Sequence, residues 1–240
     1  MFFKDAPGYP ATDYRQLATG NWQPATDHWQ LPLLLYYITD RRQFSGSKES
    51  RRALLLEKIS QAGRAEIDYI QLREKDLTGR ELELLAGEAM QSIRALKSPT
   101  RLLINSRTDV ALAVQAHGVH LRSNDISPVE VRDIWQRAGD KIEPVIAVSC
   151  HNESEVIAAK NSDANFVVFG PVFEKAGAAA NGLGDLRKAA GHRIPVLALG
   201  GVTLQNARSC LDAGAAGIAG IRLFQEGDVA KTVVQLRSMA

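Results

Sequence analysis

The sequence predicts a single α/β domain, a (β/α)8 (TIM) barrel. Three observations predict it: eight short apolar runs of strand length, a capped or amphipathic segment after each, and short, even connections. Counted from Leu33, the eight units fill about 205 residues, within the size range of this barrel. A doubly wound open sheet is the alternative, and the count of eight favours closure.

The units follow in order. Leu33–Thr39 (LLLYYIT) is the first strand, and Glu49–Gly63 is a helix closed by its glycine. Asp68–Leu72 (DYIQL) is the second strand. Thr78 then caps a helix to about Leu96, with Glu81 where a capping box needs it. Arg101–Asn105 is the third strand, with Thr108–Gln115 as its helix. Gly118–Leu121 is the fourth, and Ser127-Pro128 opens a helix to Arg137 with serine as cap and proline in the first turn. Pro144–Ser149 precedes a helix over Glu153–Lys160, and Asn165–Gly170 is the sixth strand. A glycine- and alanine-rich loop leads to a helix from about Asp185. Pro195–Gly201 with Leu204–Ala213, then Gly217–Ile221 with Asp228–Met239, complete the eight.

Residues 1–32 stand apart. Pro7, Gly8, Pro10, Gly20, Pro24 and Pro32 interrupt every candidate element, and no period of strand or helix survives. The segment reads as an irregular N-terminal extension, packed through Trp22 and Trp29 or disordered, ahead of a barrel domain over 33–240.

Composition narrows the partners. With 29 basic against 27 acidic residues the net charge is +2. Nothing draws the whole chain to nucleic acid or membrane, so any anion preference is local. No apolar run approaches the roughly 20 residues of a spanning helix, and MFFKDAPGYP lacks the apolar core of a signal peptide. Cys150 and Cys210 are the only cysteines, far apart and without metal-ligand spacing. A reducing cytoplasm is expected. The oligomeric state, homo-oligomer included, stays open.

In this barrel the site lies at the carboxyl ends of the strands. The second strand runs into Arg73, Glu74 and Lys75, a cationic fork at the rim. Taken alone, Arg73 and Lys75 read equally well as solvated charges paired with Glu74 or Asp76. Other ends supply Gln71; Asn105, Ser106 and Arg107; Arg122, Ser123 and Asp125; Ser149, Cys150 and His151; Gly170-Pro171; Gly200-Gly201; and Gly220 with Arg222. The paired glycines suit a phosphate approached by backbone N–H groups, or a plain tight turn. His151 is a rim histidine able to exchange protons near neutral pH, or a loop residue. Cys150 reads as a small buried neighbour and His120 as a structural residue within a strand.

The stretches YYITDR, IQLREK, LLINSRTDVAL, HGVHL, AVSCH, FVVFGPVF, LALGGVT and AGAAGIAGI resemble the thiamine phosphate synthase/TenI family, from about Tyr36 to Phe224. The resemblance implies a barrel acting on a phosphorylated thiazole and, in the synthase branch, on a pyrimidine pyrophosphate, which is joined to it with loss of pyrophosphate. It assigns Gln71, Arg73, Lys75, Asn105 and Ser149 to the pyrimidine pyrophosphate, Gly201 to the thiazole phosphate and Asp125 to magnesium. Gly200, Gly220, Ile221, Arg122 and Arg222 are further expected substrate contacts. The chain departs from the synthase pattern at Ser106, an aspartate in synthases, and at Arg122-Ser123-Asn124-Asp125. It departs again at Glu174-Lys175-Ala176-Gly177-Ala178, and at Arg222, a serine in synthases. Loss of a magnesium carboxylate and of a threonine clamp makes a TenI-like thiazole phosphate tautomerase the leading expectation, with His151 as acid/base and no cofactor. The alternatives are a thiamine phosphate synthase using Mg2+ and a non-catalytic phosphate-ligand sensor. The expected partner is a small phosphorylated thiazole.

Overall fold

The computed structural model describes residues 33–139, 142–174 and 180–239. The extension over 1–32, with Trp22 and Trp29, lies outside the described residues, as do 175–179 of the replaced clamp. Eight parallel strands close into a barrel in sequence order. They are β1 (Leu34–Ile38), β2 (Tyr69–Leu72), β3 (Arg101–Asn105), β4 (Gly118–Leu121), β5 (Val145–Cys150), β6 (Phe166–Phe169), β7 (Val196–Ala198) and β8 (Gly217–Gly220). The closing pair is β8 with β1, Leu34 opposite Gly217 through Tyr37 opposite Gly220. The open-sheet alternative is thereby excluded.

Strand parity divides the core in two, because successive side chains point to opposite faces. Leu34, Tyr36, Ile38, Tyr69, Leu103, Val145, Ala147, Phe166, Val168, Leu197 and Ala219 fill the barrel interior. Their neighbours, among them Leu35, Tyr37, Ile70, Leu72, Ile104, Val119 and Val167, pack against the helices. Tyr36, Tyr69 and Phe166 meet at ring-centroid separations of 4.8 to 6.0 Å and seal the middle of the interior.

The ring helices are α1 (Lys48–Arg64), α2 (Gly79–Ala95), α3 (Thr108–Ala113), α4 (Pro128–Arg137), α5 (Glu153–Asn161), α6 (Gly182–Ala190), α7 (Ala207–Asp212) and α9 (Val229–Arg237). A short α8 (Arg222–Gln225) and a 3-10 turn over Arg41–Gln43 were not foreseen. The expected capping box of Thr78 with Glu81 forms, and the Ser127 cap forms a second one with Glu130. A boundary difference of consequence for the site is at β7, expected to run to Gly201 but ending at Ala198. Gly200 and Gly201 have φ of +94° and +66°, which no strand continues through. Helix α3 stops short for the same kind of reason, Gln115 having φ +52°.

Candidate active site

One cavity of about 1030 Å³ opens at the carboxyl ends of the strands, and side chains or backbone from all eight units line it. Its polar floor follows from strand parity. The inward faces of β2, β3, β4 and β5 end in Gln71, Asn105, His120 and Ser149, one polar side chain per neighbouring strand. Gln71 Nε2 donates to Asn105 Oδ1 at 3.2 Å, and Asn105 stands opposite His120 in register.

His120 is buried between two hydroxyls, with Nδ1 3.0 Å from Tyr36 Oη and Nε2 2.7 Å from Ser149 Oγ. Burial, reinforced by Arg73, lowers its pKa to about 3, so the imidazole is neutral. Burial likewise raises the Tyr36 phenol well above its usual value, so the phenol keeps its proton. Among the described residues no second hydrogen bond of the Tyr36 hydroxyl is found beside that to His120, and the cost of stranding a buried O–H makes it the donor to Nδ1. The remaining ring proton then sits on Nε2 and donates to Ser149 Oγ. The network, rather than observed hydrogens, assigns this tautomer. Its consequence is chemical: Ser149 receives a bond from below and turns its own proton to the cavity.

Above this floor, β2 ends in Arg73 and Lys75, both lining the cavity. Neither makes an ion pair among the described residues, contrary to the solvated-pair reading. Burial lowers the pKa of Arg73. Repulsion from Arg73, then burial, then repulsion from Arg122 and Arg42 lowers that of Lys75. These shifts identify a concentration of positive charge facing open space, which an anion would relieve.

Arg122 lines the same side, but its guanidinium lies on Asp125, with Nη2 to Oδ1 at 3.0 Å. Asp125 Oδ2 accepts from Ser106 Oγ at 2.5 Å and from the Arg122 backbone N–H at 2.8 Å. Burial would push this carboxyl up; the bonds from Arg122 and Ser106 outweigh it and hold the pKa below the usual range. Magnesium is normally held by one or two carboxylates with waters and substrate phosphates. Here Asp125 stands alone, both oxygens taken by donors, and no cluster of three metal-ligating side chains occurs among the described residues. As arranged, this donor set does not fit a resident magnesium ion.

On the facing side of the ring, Gly200 and Gly201 form the rim beside Gly220, Ile221 and Arg222. A Cβ on Gly200 would lie 2.6 Å from Pro171 Cα, and one on Gly201 2.7 Å from Phe173 Cβ. Only glycine lets the β7 and β6 loops approach this closely. The N–H groups of Gly201, Val202 and Ile221 have no acceptor among the described residues, which suits a phosphate seat. Arg222 makes no ion pair with Glu226 among the described residues, and both line the cavity. His151 lines it too, its Nδ1 2.6 Å from Gly170 O, which obliges that nitrogen to be the N–H donor and leaves Nε2 without a partner among the described residues. Cys150 points outward into the helix layer, where burial raises its pKa to about 12, so it is no nucleophile.

Comparison with known proteins gives the lineage. The profile described as "Thiamine monophosphate synthase" matches residues 35–224. This chain belongs to the thiamine monophosphate synthase family. Among similar proteins, the thiamine-phosphate synthase of Chloroflexus aurantiacus is 35% identical over 85% of this chain and 91% of its own length. That of Clostridium novyi is 34% identical over 81% and 91% respectively. A solved structure titled thiamine phosphate pyrophosphorylase, from Pyrococcus furiosus, superposes with a TM-score of 0.72 at 31% identity, covering 88% of this chain and 96% of that one.

These relatives overturn the tautomerase expectation. The Chloroflexus and Clostridium relatives bear the synthase name, and nothing in the comparisons singles out the TenI branch. The expectation had rested on Ser106, Arg122 and the altered clamp, read as losses. In the structure Ser106 and Arg122 are engaged with Asp125, so these substitutions rebuild that corner of the rim. No helix among the described residues is long and apolar enough to cross a membrane.

Sequence reasoning missed His120 and Tyr36. The signal was present: His120 alternates with the outward-packed Val119 and Leu121, as Gln71 does with Ile70 and Leu72. It also missed Arg42, whose charge reaches both Arg73 and Lys75.

Proposed function

We propose that the protein is a thiamine phosphate synthase, joining a pyrimidine carried as its pyrophosphate ester to a phosphorylated thiazole, with release of pyrophosphate. One observation carries this reading: a single cavity presents two different anion seats on facing sides of the ring. The seat over β2 and β4 is built of side-chain charge from Arg73 and Lys75, with Arg122, paired to Asp125, at its side. The seat over β7 and β8 is built of backbone N–H groups at Gly201, Val202 and Ile221, with Arg222 at its edge. Two separate seats can hold a diphosphate and a phosphate monoester side by side.

The pyrimidine ring sits between them on the floor of Gln71, Asn105 and Ser149, against Ile38 and Leu199. As the bond between the pyrimidine methylene carbon and the diphosphate oxygen breaks, the leaving oxygen keeps the electron pair, and the thiazole nitrogen forms the new bond to that carbon. Arg73, Lys75, Arg122 and the Ser149 hydroxyl stabilise the charge gathering on the diphosphate. Charge-directed donors held in place before reaction give the largest such effects. The cavity also holds the two reactants in one enclosure, converting an encounter into a local event.

The test is to incubate purified protein with both substrates and follow thiamine phosphate and pyrophosphate together. Equal amounts of both products, formed only when both substrates are present, support the reading. Pyrophosphate release without coupling, or no product despite binding of both ligands, would remove it.

A further inference from the structure

The run Arg73-Glu74-Lys75-Asp76 alternates in sign and is neutral on its own, which by itself argues against an anion seat. The structure resolves the conflict through Arg41. Its Nη1 donates to Glu74 Oε2 at 3.0 Å and to Asp76 Oδ1 at 2.8 Å, and Nη2 donates to Asp76 Oδ2 at 3.0 Å. Its backbone N–H adds bonds to both Glu74 oxygens at 3.2 and 3.1 Å. Thr39 Oγ1 donates to Glu74 Oε1 at 2.7 Å and accepts from the Arg73 N–H at 3.0 Å. The Arg41 and Glu74 side chains are only 7% and 1% exposed, a buried pair rather than a solvated one, while Asp76, 43% exposed, closes it on the outer side.

We propose that Arg41 is a positioning residue of the diphosphate seat: it sequesters both carboxylates of the run, so that Arg73 and Lys75 face the cavity uncompensated. Glu74 is drawn below the rim, Asp76 is gripped by the guanidinium at its edge, and the Thr39 bridge fixes the Arg73 backbone above Glu74. Arg41 itself does not line the cavity, so it acts through its neighbours. A planar guanidinium suits the task because it can grip Asp76 with two nitrogens while still reaching Glu74; an ammonium offers only a point charge. Without it, Glu74 and Asp76 are free to pair with Arg73 and Lys75 and to compete with any incoming anion.

This inference rests on the synthase reading, and its test separates the two. Inorganic diphosphate is titrated calorimetrically into the wild type, Arg41→Met, and the triple variant Arg41→Met/Glu74→Gln/Asp76→Asn, with thiazole phosphate as a control ligand. Arg41→Met should raise the Kd for diphosphate about tenfold, the size of a change in one close charge pairing, and leave that for thiazole phosphate unchanged. The triple variant, which has no carboxylates to release, should return the diphosphate Kd to within about threefold of wild type. A merely structural role predicts that thiazole phosphate binding weakens together with diphosphate binding in Arg41→Met, so the control ligand separates the two. An unchanged Kd in Arg41→Met, or a triple variant as weak as the single one, overturns the inference while leaving the synthase reading standing. Failure of the wild type to bind diphosphate overturns both. If Arg41→Met does not fold, the triple variant decides alone: near-wild-type affinity supports the role, and a tenfold loss refutes it.

Discussion

The assignment of Ser149 as a donor predicts a graded response along Tyr36, His120 and Ser149. Removing a donor aimed at developing charge costs roughly 10²-fold or more in turnover, and this is expected for Ser149→Ala. His120→Leu should approach it, because Ser149 then loses the 2.7 Å bond that fixes its direction. It also strands the Tyr36 hydroxyl in the barrel, at about 1–3 kcal/mol of stability. That corresponds to a Tm lower by about 2–4 °C per kcal/mol at this chain length. His120→Gln keeps an N–H donor on that side and should recover much of the activity. Tyr36→Phe is the sharpest case. It keeps the ring packing and deletes only the proton that holds Nδ1 as an acceptor, so the imidazole can take the other tautomer and Ser149 can donate downward. A single neutral hydrogen bond is worth about 1 kcal/mol, so kcat should fall about fivefold with little change in KM. Steady-state thiamine phosphate formation, read beside thermal unfolding, measures both. Wild-type kcat in Tyr36→Phe, or a His120→Gln no better than His120→Leu, would refute the relay.

Three further outcomes follow from the same geometry. His120 has a folded pKa of about 3 against about 6.5 unfolded. Across that interval the unfolded chain takes up a proton that the folded chain refuses, so stability falls as pH falls. This histidine should account for about 2 kcal/mol of loss between pH 7 and 5, and denaturation curves of His120→Gln should lack that part. Gly200→Ala forces a side chain into a left-handed position 2.6 Å from Pro171 Cα. It should cost about 2 kcal/mol or more in urea unfolding and weaken thiazole phosphate binding. Arg222→Ser should weaken thiazole phosphate binding by about 1.5–3 kcal/mol without lowering the Tm of the free protein, and an unchanged Kd would return Arg222 to the surface.

The barrel was legible because its signals are local: apolar runs of strand length, capping serine and threonine, and glycine at turns. The rim was legible in outline for the same reason, since strand ends locate it and the glycine pair marks close approach. What escaped was pairing across the chain. Nothing local tells that Arg41 reaches 33 residues on to Glu74, or that Tyr36 meets His120 84 residues away. Without those partners the REKD run reads as self-neutralised and His120 as a filler of the core. Ser106 and Arg122 were misjudged likewise: each was weighed singly against a metal site, and their shared bond to Asp125 appears only once β3 and β4 are adjacent.

The central claim is that one cavity holds a diphosphate and a phosphate monoester at the same time, in separate seats. Titrating thiazole phosphate into protein already saturated with inorganic diphosphate tests it most directly. Two seats predict binding of one equivalent with a Kd within about threefold of that for the diphosphate-free protein. A single shared seat predicts competition, with the apparent Kd climbing in proportion to diphosphate concentration, and that result would contradict the account.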